Sequence, residues 1–163
     1  MSDKEKYSKN RRIGNIAEDT VVRYIERSGF TVLDRNYLRK IGEIDIVAQK
    51  DGIIHFIEVK SRTISREIDK KDQNIVSRIF SRYSFTNKKL KIEISRENSN
   101  YDDYRPEDNV HFHKQRNLLR VIEAYLIEKN IENDWQVDVF SVLLDFLRNT
   151  AIIKHIENVM LDA

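Results

Sequence analysis

The sequence predicts an α/β domain with a central sheet of mixed strand direction flanked by helices. Apolar residues recur at helical spacing in two segments, an Asp-Gly pair separates two short apolar runs, and two further β-prone runs follow near the carboxyl end. The predicted order is a helix, three strands, a basic insertion, a second helix and two strands. Such an order is typical of a sheet covered by helices, and 163 residues are enough for one domain with a core.

The first helix is predicted over residues 11–28, with Gly29 as its natural end. Its stripe consists of Ile13, Ile16, Ala17, Val21, Tyr24 and Ile25. Residues 1–10 are polar and charged and are predicted to be a disordered basic leader, which leaves 11–163 as a single domain. Glu18 lies beside the stripe, one turn after Gly14, and is either an edge charge or a residue of a site.

Three strands are predicted next, over about 30–37, 42–49 and 53–61. The Asp51-Gly52 pair between the last two predicts a two-residue hairpin turn. Its register places Lys50 opposite Ile53, Asp45 opposite Glu58 and Glu43 opposite Lys60, with these acids and Lys60 on one face. The other face pairs Ile44 with Val59, Ile46 with Ile57 and Ala48 with His55, and we expect it to be buried.

Asp45 facing Glu58 predicts a need for a cation. Like charges directly opposite each other destabilise a sheet, and their Cβ atoms are about 4.5–5.5 Å apart, so the two carboxylates could share one divalent ion beside Lys60. The alternative is a solvated ladder in which Glu43 and Lys60 form an ordinary ion pair. The spacing alone leaves both interpretations open.

Residues 63–108 read as a basic insertion. Between Lys60 and Arg96 there are eleven Lys and Arg against four Asp and Glu. A mobile basic segment suits a phosphate backbone, although a solvated basic loop would have the same composition. A short helix over 74–85 and a strand fragment over 90–94 are possible within it.

The second helix is predicted from a cap at Asp108 or Asn109 to about Lys129. Lys114 and Gln115 lie in its first turns, where exposed amides can receive a phosphate. His111 and His113, at the same end, are interpreted as surface residues.

Strands are predicted over 135–144 and 151–156. Asp138 is a lone acid in the first of them, and it needs a partner such as an arginine or backbone amides.

Composition excludes several classes of protein. The absence of cysteine excludes disulfides and thiolate zinc sites and fits a reducing compartment. Residues 1–10 have no apolar run typical of a secretory signal, and the most apolar stretch, 137–147, is interrupted by Asp138 and Asp145. We therefore expect a cytoplasmic protein without a membrane partner. The net charge of +2 is weak support for a nucleic-acid partner.

Three motifs resemble the signature of the YraN family, a group of uncharacterised bacterial proteins: Gly14-Asn15-Ile16-Ala17-Glu18, Gly42-Glu43-Ile44-Asp45 and Phe56-Ile57-Glu58-Val59-Lys60-Ser61-Arg62. Lys114-Gln115, Val137-Asp138-Val139 and His155-Ile156-Glu157-Asn158 are also similar to that family. The resemblance covers about 11–62 and 108–161. Members are usually shorter, and the 63–108 insertion has no clear counterpart among them.

The resemblance implies a restriction-endonuclease-like fold and membership of the PD-(D/E)xK nuclease superfamily. By it, Asp45 and Glu58 would be metal ligands for Mg²⁺ or Mn²⁺, Lys60 the catalytic lysine, and Glu18 the first-helix glutamate that completes the site. Ile44 precedes Asp45 where some superfamily members have proline.

The sequence as a whole thus predicts a metal-dependent, structure-selective DNA nuclease of repair, recombination or processing. Lys114, Gln115, Arg62 and Lys40 are expected to contact nucleic acid. Glu43 and Asp138 are secondary residues. A non-catalytic nucleic-acid-binding module of the same fold and a DNA-processing partner protein are the alternatives, and a homodimer is left open.

Overall fold

The structure is a computed structural model that describes residues 3–64, 90–94 and 112–160. Its elements are α1 (Asp3–Arg27), β1 (Thr31–Arg39), β2 (Gly42–Lys50), β3 (Ile53–Thr63), β4 (Lys91–Ile94), α2 (Phe112–Lys129), β5 (Trp135–Asp145) and β6 (Thr150–Ile156). The strand fragment predicted over 90–94 is confirmed as β4. The possible helix over 74–85, the cap at Asp108 or Asn109, His111 and most of the insertion lie outside the described residues.

The described strands form one mixed sheet in the order β1-β2-β3-β5-β6-β4. β3 pairs with β5 and β4 with β6 in parallel, while the other neighbours are antiparallel. The α/β prediction with a mixed sheet is therefore confirmed, and the arrangement is consistent with a restriction-endonuclease-like fold. No helix in the described part of the chain is long and apolar enough to cross a membrane.

The two described helices cover opposite faces of the sheet. On one face, Ala17, Val21 and Ile25 of α1 pack on β-strand residues such as Ile46 and Phe140. On the other face, Val121, Ile122 and Tyr125 of α2 pack on residues that include Val47 and Phe56. Because neighbouring strand residues alternate between faces, runs of buried residues in β2 and β3 show that these strands are covered on both sides.

α1 begins at Asp3, so the expectation that the first helix starts at Arg11 is wrong. Residues 3–10 contain Lys and Glu, which are good helix formers, and neither glycine nor proline. Tyr7 in this part is 72% exposed, and an exposed helical turn of this kind has no apolar stripe for sequence periodicity to detect.

The hairpin and the end of α1 follow their turn residues. Asp51 and Gly52 both have positive φ, 50° and 84°, as a type I′ turn requires. Gly29 has φ 87°, and the amides of Gly29 and Phe30 donate to the carbonyls of Glu26 and Ile25 at 3.2 and 3.0 Å. This is a Schellman motif, which places Gly29 in the left-handed region.

Gly29→Ala should lower the free energy of unfolding by about 1 kcal/mol, because a Cβ disfavours the left-handed conformation. Apart from Gly29 and its chain neighbours, no atom of the described residues lies within 4 Å of the added Cβ, so the effect isolates the backbone. Urea denaturation measures it, and Gly29→Asn, which tolerates positive φ, should lose less. An alanine variant as stable as the wild type would contradict this account of the helix end.

Candidate functional site

The regular alternation of side chains is interrupted at Asn36 in β1 and at Asp45 in β2, so that residues on either side of these positions lie on opposite faces of the sheet. The register passes from Arg35–Ile46 to Tyr37–Ile44, and Asn36 between them has φ 52°. Ile46 packs in the cluster on the α1 side, whereas Ile44 packs in the cluster on the α2 side. The expectation that Ile44 and Ile46 share a face is therefore wrong, because the kink at this position interrupts the two-residue alternation of a regular strand.

Asp45 binds the backbone of β3 with its side chain. The predicted hairpin register is confirmed from Lys50–Ile53 to Ile46–Ile57, one step short of the predicted Asp45–Glu58 pair. There the Val59 amide donates a hydrogen bond of 2.7 Å to Asp45 Oδ2. A carboxylate thus receives the amide of a central strand, which fixes its orientation beside Glu58.

The electrostatic surroundings of Asp45 disfavour its charge. Burial raises the pKa of Asp45 to about 7, and the charges of Glu58, Glu18 and Glu43 add to the increase. The hydrogen bond from the Val59 amide lowers the pKa but is outweighed. The structure therefore gathers acidic side chains around a half-buried carboxylate, an arrangement that suits a cation.

Lys60 pairs with Glu58, its neighbour two residues earlier on β3. The Lys60 ammonium donates to Glu58 Oε1, and the two side chains are only 17% and 11% exposed. Glu43 is exposed. Because residues two apart on a strand lie on one face, the lysine and Glu58 are brought together by β3 itself.

Glu18 of α1 is held near the kink. Its pKa is raised, mainly by burial, while a hydrogen bond with the Asn36 side chain and the charge of Arg35 oppose the increase. Arg35 Nη2 lies 2.7 Å from Asp19 Oδ1 and 4.0 Å from Glu18 Oε2. Sequence reasoning missed Asn36 and Arg35. An asparagine inside a β-prone run is the signal for Asn36, since asparagine tolerates positive φ.

Asp45 and Glu58 offer the oxygen donors that suit Mg²⁺, which proteins bind through one or two carboxylates. Among residues 3–64, 90–94 and 112–160, no group of three or more His, Asp or Glu side chains is arranged to hold a metal ion. The donor type of Asp45 and Glu58 fits such an ion, and ligation by Asp45, Glu58 and Glu18 stays a prediction.

The structure describes the side chains of two of the four residues that are predicted to contact nucleic acid. Lys40, in the turn between β1 and β2, lines a cavity together with Glu43 and Glu58. Arg62 is exposed on β3, on the same face as Lys60. Lys114 and Gln115 belong to the first turn of α2, and their side chains are outside the described part of the chain. Contact of these four residues with nucleic acid stays a prediction.

Asp138 belongs to a separate, structural cluster. It is fully buried, and it accepts hydrogen bonds from His55 Nδ1 and Gln136 Nε2 at 2.8 Å, the Asn158 amide at 3.0 Å and His155 Nε2 at 3.1 Å. The expected backbone amide is present, but side chains of histidine and glutamine take the place of the arginine. Burial would raise the pKa of Asp138, yet these hydrogen bonds lower it to about 2.

The histidine partners of Asp138 were missed because no local pattern indicates them. His55 is 83 residues away in sequence and His155 is 17 away. Since an ionised carboxylate can only accept, both rings donate N–H to Asp138. The Asn158 amide joins them, so the cluster fastens the segment after β6 to β5.

Asp45→Asn should raise the thermal midpoint in EDTA at pH 8 by about 3 °C or more, because it removes a half-buried charge that faces other acids and keeps an oxygen for the Val59 amide. A pKa raised from 3.8 to about 7 means that wild-type stability falls as the pH rises between those values and then levels off. The variant should lack that fall. Asp51→Asn, at the exposed hairpin tip, is the matched control. If Asp45→Asn is less stable than wild type at pH 8, the crowding of acids around Asp45 does not destabilise the fold and this account is wrong.

Asp138→Asn should have the opposite effect and cost about 2 kcal/mol at pH 7. A lowered pKa means that the stabilisation by this carboxylate is complete above its ordinary value of 3.8 and is lost as the pH falls through about 2. Urea unfolding of both variants at pH 7 compares the two aspartates directly. Equal stability of Asp138→Asn and wild type would show that the cluster contributes nothing.

Comparison with known proteins gives a consistent family. Residues 17–94, which include Glu18, Asp45, Glu58 and Lys60, match the model of the uncharacterised protein family UPF0102. A UPF0102 protein of Clostridium botulinum (strain 657 / Type Ba4) is 30% identical over 151 residues, covering 91% of this chain and 94% of that protein. A UPF0102 protein of Campylobacter jejuni (strain 81-176) is 28% identical over 135 residues, covering 83% and 87%. The chain therefore belongs to the UPF0102 family, as its resemblance to the YraN signature indicated.

Proposed function

We propose that this chain is a divalent-metal-dependent nuclease that hydrolyses phosphodiester bonds of DNA. The observation that carries the proposal is the geometry of three side chains: Asp45 is held by the Val59 amide at 2.7 Å next to Glu58, and Glu58 pairs with the Lys60 ammonium. The raised pKa of Asp45 agrees with this gathering of acids. Asp45 and Glu58 would hold Mg²⁺ or Mn²⁺. When bound, such an ion stabilises charge on a phosphoryl group and makes water acidic enough to react near neutral pH.

Each remaining side chain has a role that its position supports. The Val59 amide fixes the carboxylate of Asp45, so the donor pair needs little reorganisation. As an ammonium, Lys60 would position the attacking water or neutralise negative charge that develops at phosphorus, and as the neutral amine it would remove a proton of that water. Glu18, oriented by Asn36, would orient a water or help to bind a second ion.

DNA is the proposed substrate, with selection of a structure rather than a sequence. Lys40, Arg62, Lys114 and Gln115 would contact phosphates, which position a nucleic acid without reading its bases. The sequence contains no cysteine for a zinc finger and no recognisable helix-turn-helix. Ends, branches or flaps formed in repair, recombination or processing are therefore the proposed targets, and the cytoplasm is the expected compartment.

Single-turnover cleavage of single-stranded, double-stranded and branched DNA with Mg²⁺, Mn²⁺ or EDTA tests the proposal. Wild type should cut at least one substrate only with a divalent ion. Lys60→Ala should lower the rate about 100-fold or more, as loss of a general acid–base group does. Asp45→Asn should abolish cleavage although it stabilises the ion-free fold.

The Lys91–Glu93 pair provides the matched control. It has the same two-residue spacing on a strand as Glu58 and Lys60, but its side chains are 74% and 47% exposed on β4. Lys91→Ala should cut as well as wild type. If no substrate is cut, or if Lys60→Ala cuts at the wild-type rate, the nuclease assignment is wrong. Salt-sensitive DNA binding that survives Asp45→Asn without any cleavage would favour the non-catalytic binding module instead.

A further inference from the structure

A cavity of about 350 Å³ opens beside Glu58, between the β1–β2 turn, α2 and β5. Its size is at the lower end of the range for small-ligand pockets, about 300–1,000 Å³. Most of its walls are apolar, and they are formed by Leu38, Ile41, Leu118, Val137, Val139 and Val159. The cavity therefore offers a small apolar compartment that is continuous with the proposed catalytic carboxylate.

The apolar character of the cavity extends onto the surface. Leu38 and Ile41 on the β1–β2 side are 69% and 42% exposed, although both are large apolar residues. Exposed apolar residues that rim a cavity mark binding sites more often than isolated ones do. The mouth of this cavity is therefore built to receive an apolar surface.

Charged groups of both signs line the cavity, the cations Arg39 and Lys40 and the acids Glu43 and Glu58. Lys40 and Arg39 line one side and Asn117 supplies an amide that can bond a polar edge. Arg39 is paired with Glu128 and lies over the Tyr37 ring, 4.7 Å from its centroid, so the exposed Lys40 is the better placed cation for a phosphate. Glu58 stands on the wall of the cavity, where the proposed function requires the reacting phosphate to approach.

We propose that this cavity binds an unpaired nucleobase of the strand whose phosphate lies at Glu58. A base has apolar faces and a polar edge, which the apolar walls and the Asn117 amide of the cavity match, and Lys40 at its mouth is placed for the phosphate. A base stacked inside a duplex cannot enter such a compartment, whereas an unpaired base can. The inference rests on the proposed function and deepens it, because it makes single-stranded or locally unpaired DNA the substrate class.

Fluorescence anisotropy with a 5′-labelled single-stranded oligonucleotide tests the inference, with Ca²⁺ present as an oxygen-binding cation. The comparison probe has the same phosphates, but its central nucleotides lack bases. Wild type should bind the intact probe about 10-fold more tightly, since bases held by side chains contribute on this scale. Equal affinity for the two probes would overturn the inference.

Variants at the mouth locate the effect. Leu38→Ser combined with Ile41→Ser should reduce the preference for the intact probe to about 2-fold or less, while affinity for the abasic probe stays unchanged. Ile127→Ser, at an 81% exposed apolar residue near the other end of α2, should keep the preference. Lys40→Ala should weaken both probes equally, as loss of one phosphate contact does. A double variant that keeps the wild-type preference would overturn the inference.

The outcomes separate this inference from the proposed function. Cleavage without any preference for intact bases would overturn the base pocket and leave the nuclease standing. A base preference in a protein that cuts no DNA would overturn the nuclease and support the pocket. Light scattering adds one more result: if wild type is a dimer and the double variant is a monomer, the cavity face is a subunit contact and the inference is wrong.

Discussion

The hydrogen bond from the Val59 amide to the Asp45 carboxylate is the constraint around which this site is organised. It links β2 to β3 through a side chain at the point where the Ile46–Ile57 register ends. The same hydrogen bond holds the half-buried carboxylate beside Glu58, where desolvation and neighbouring charge raise its pKa. At this point a backbone amide of the sheet therefore bonds a side chain, and that bond orients Asp45.

Two aspartates on nearby strands illustrate how differently a fold can treat the same side chain. Asp138 receives hydrogen bonds from three side chains and one amide, and they favour its ionised form. Asp45 accepts one hydrogen bond from an amide, but burial and the neighbouring acids outweigh it and favour the neutral form of Asp45. The first arrangement stabilises the fold. The second opposes it, and such opposition is typical of sites whose geometry serves a ligand.

The sequence predicted the parts of the fold that depend on local chemistry. Asp51-Gly52 determined the hairpin register, and Gly29 determined the end of α1. The kink at Asn36 and Asp45 was not predicted, because a single residue in the left-handed region interrupts an alternation that otherwise continues. The partners of Asp138 and the cavity beside Glu58 come from distant segments, so no window of sequence contains them. The first-helix role of Glu18 came from family resemblance alone.

Calorimetric titration of Mn²⁺ into the protein at pH 8 tests the central claim most directly, because the claim is that Asp45 and Glu58 are gathered to bind a cation. Wild type should bind one ion per chain at the Asp45–Glu58 pair, and Glu58→Gln should lose that binding while Glu93→Gln retains it. An absence of Mn²⁺ binding by wild type, or equal binding by Glu58→Gln, would contradict the account.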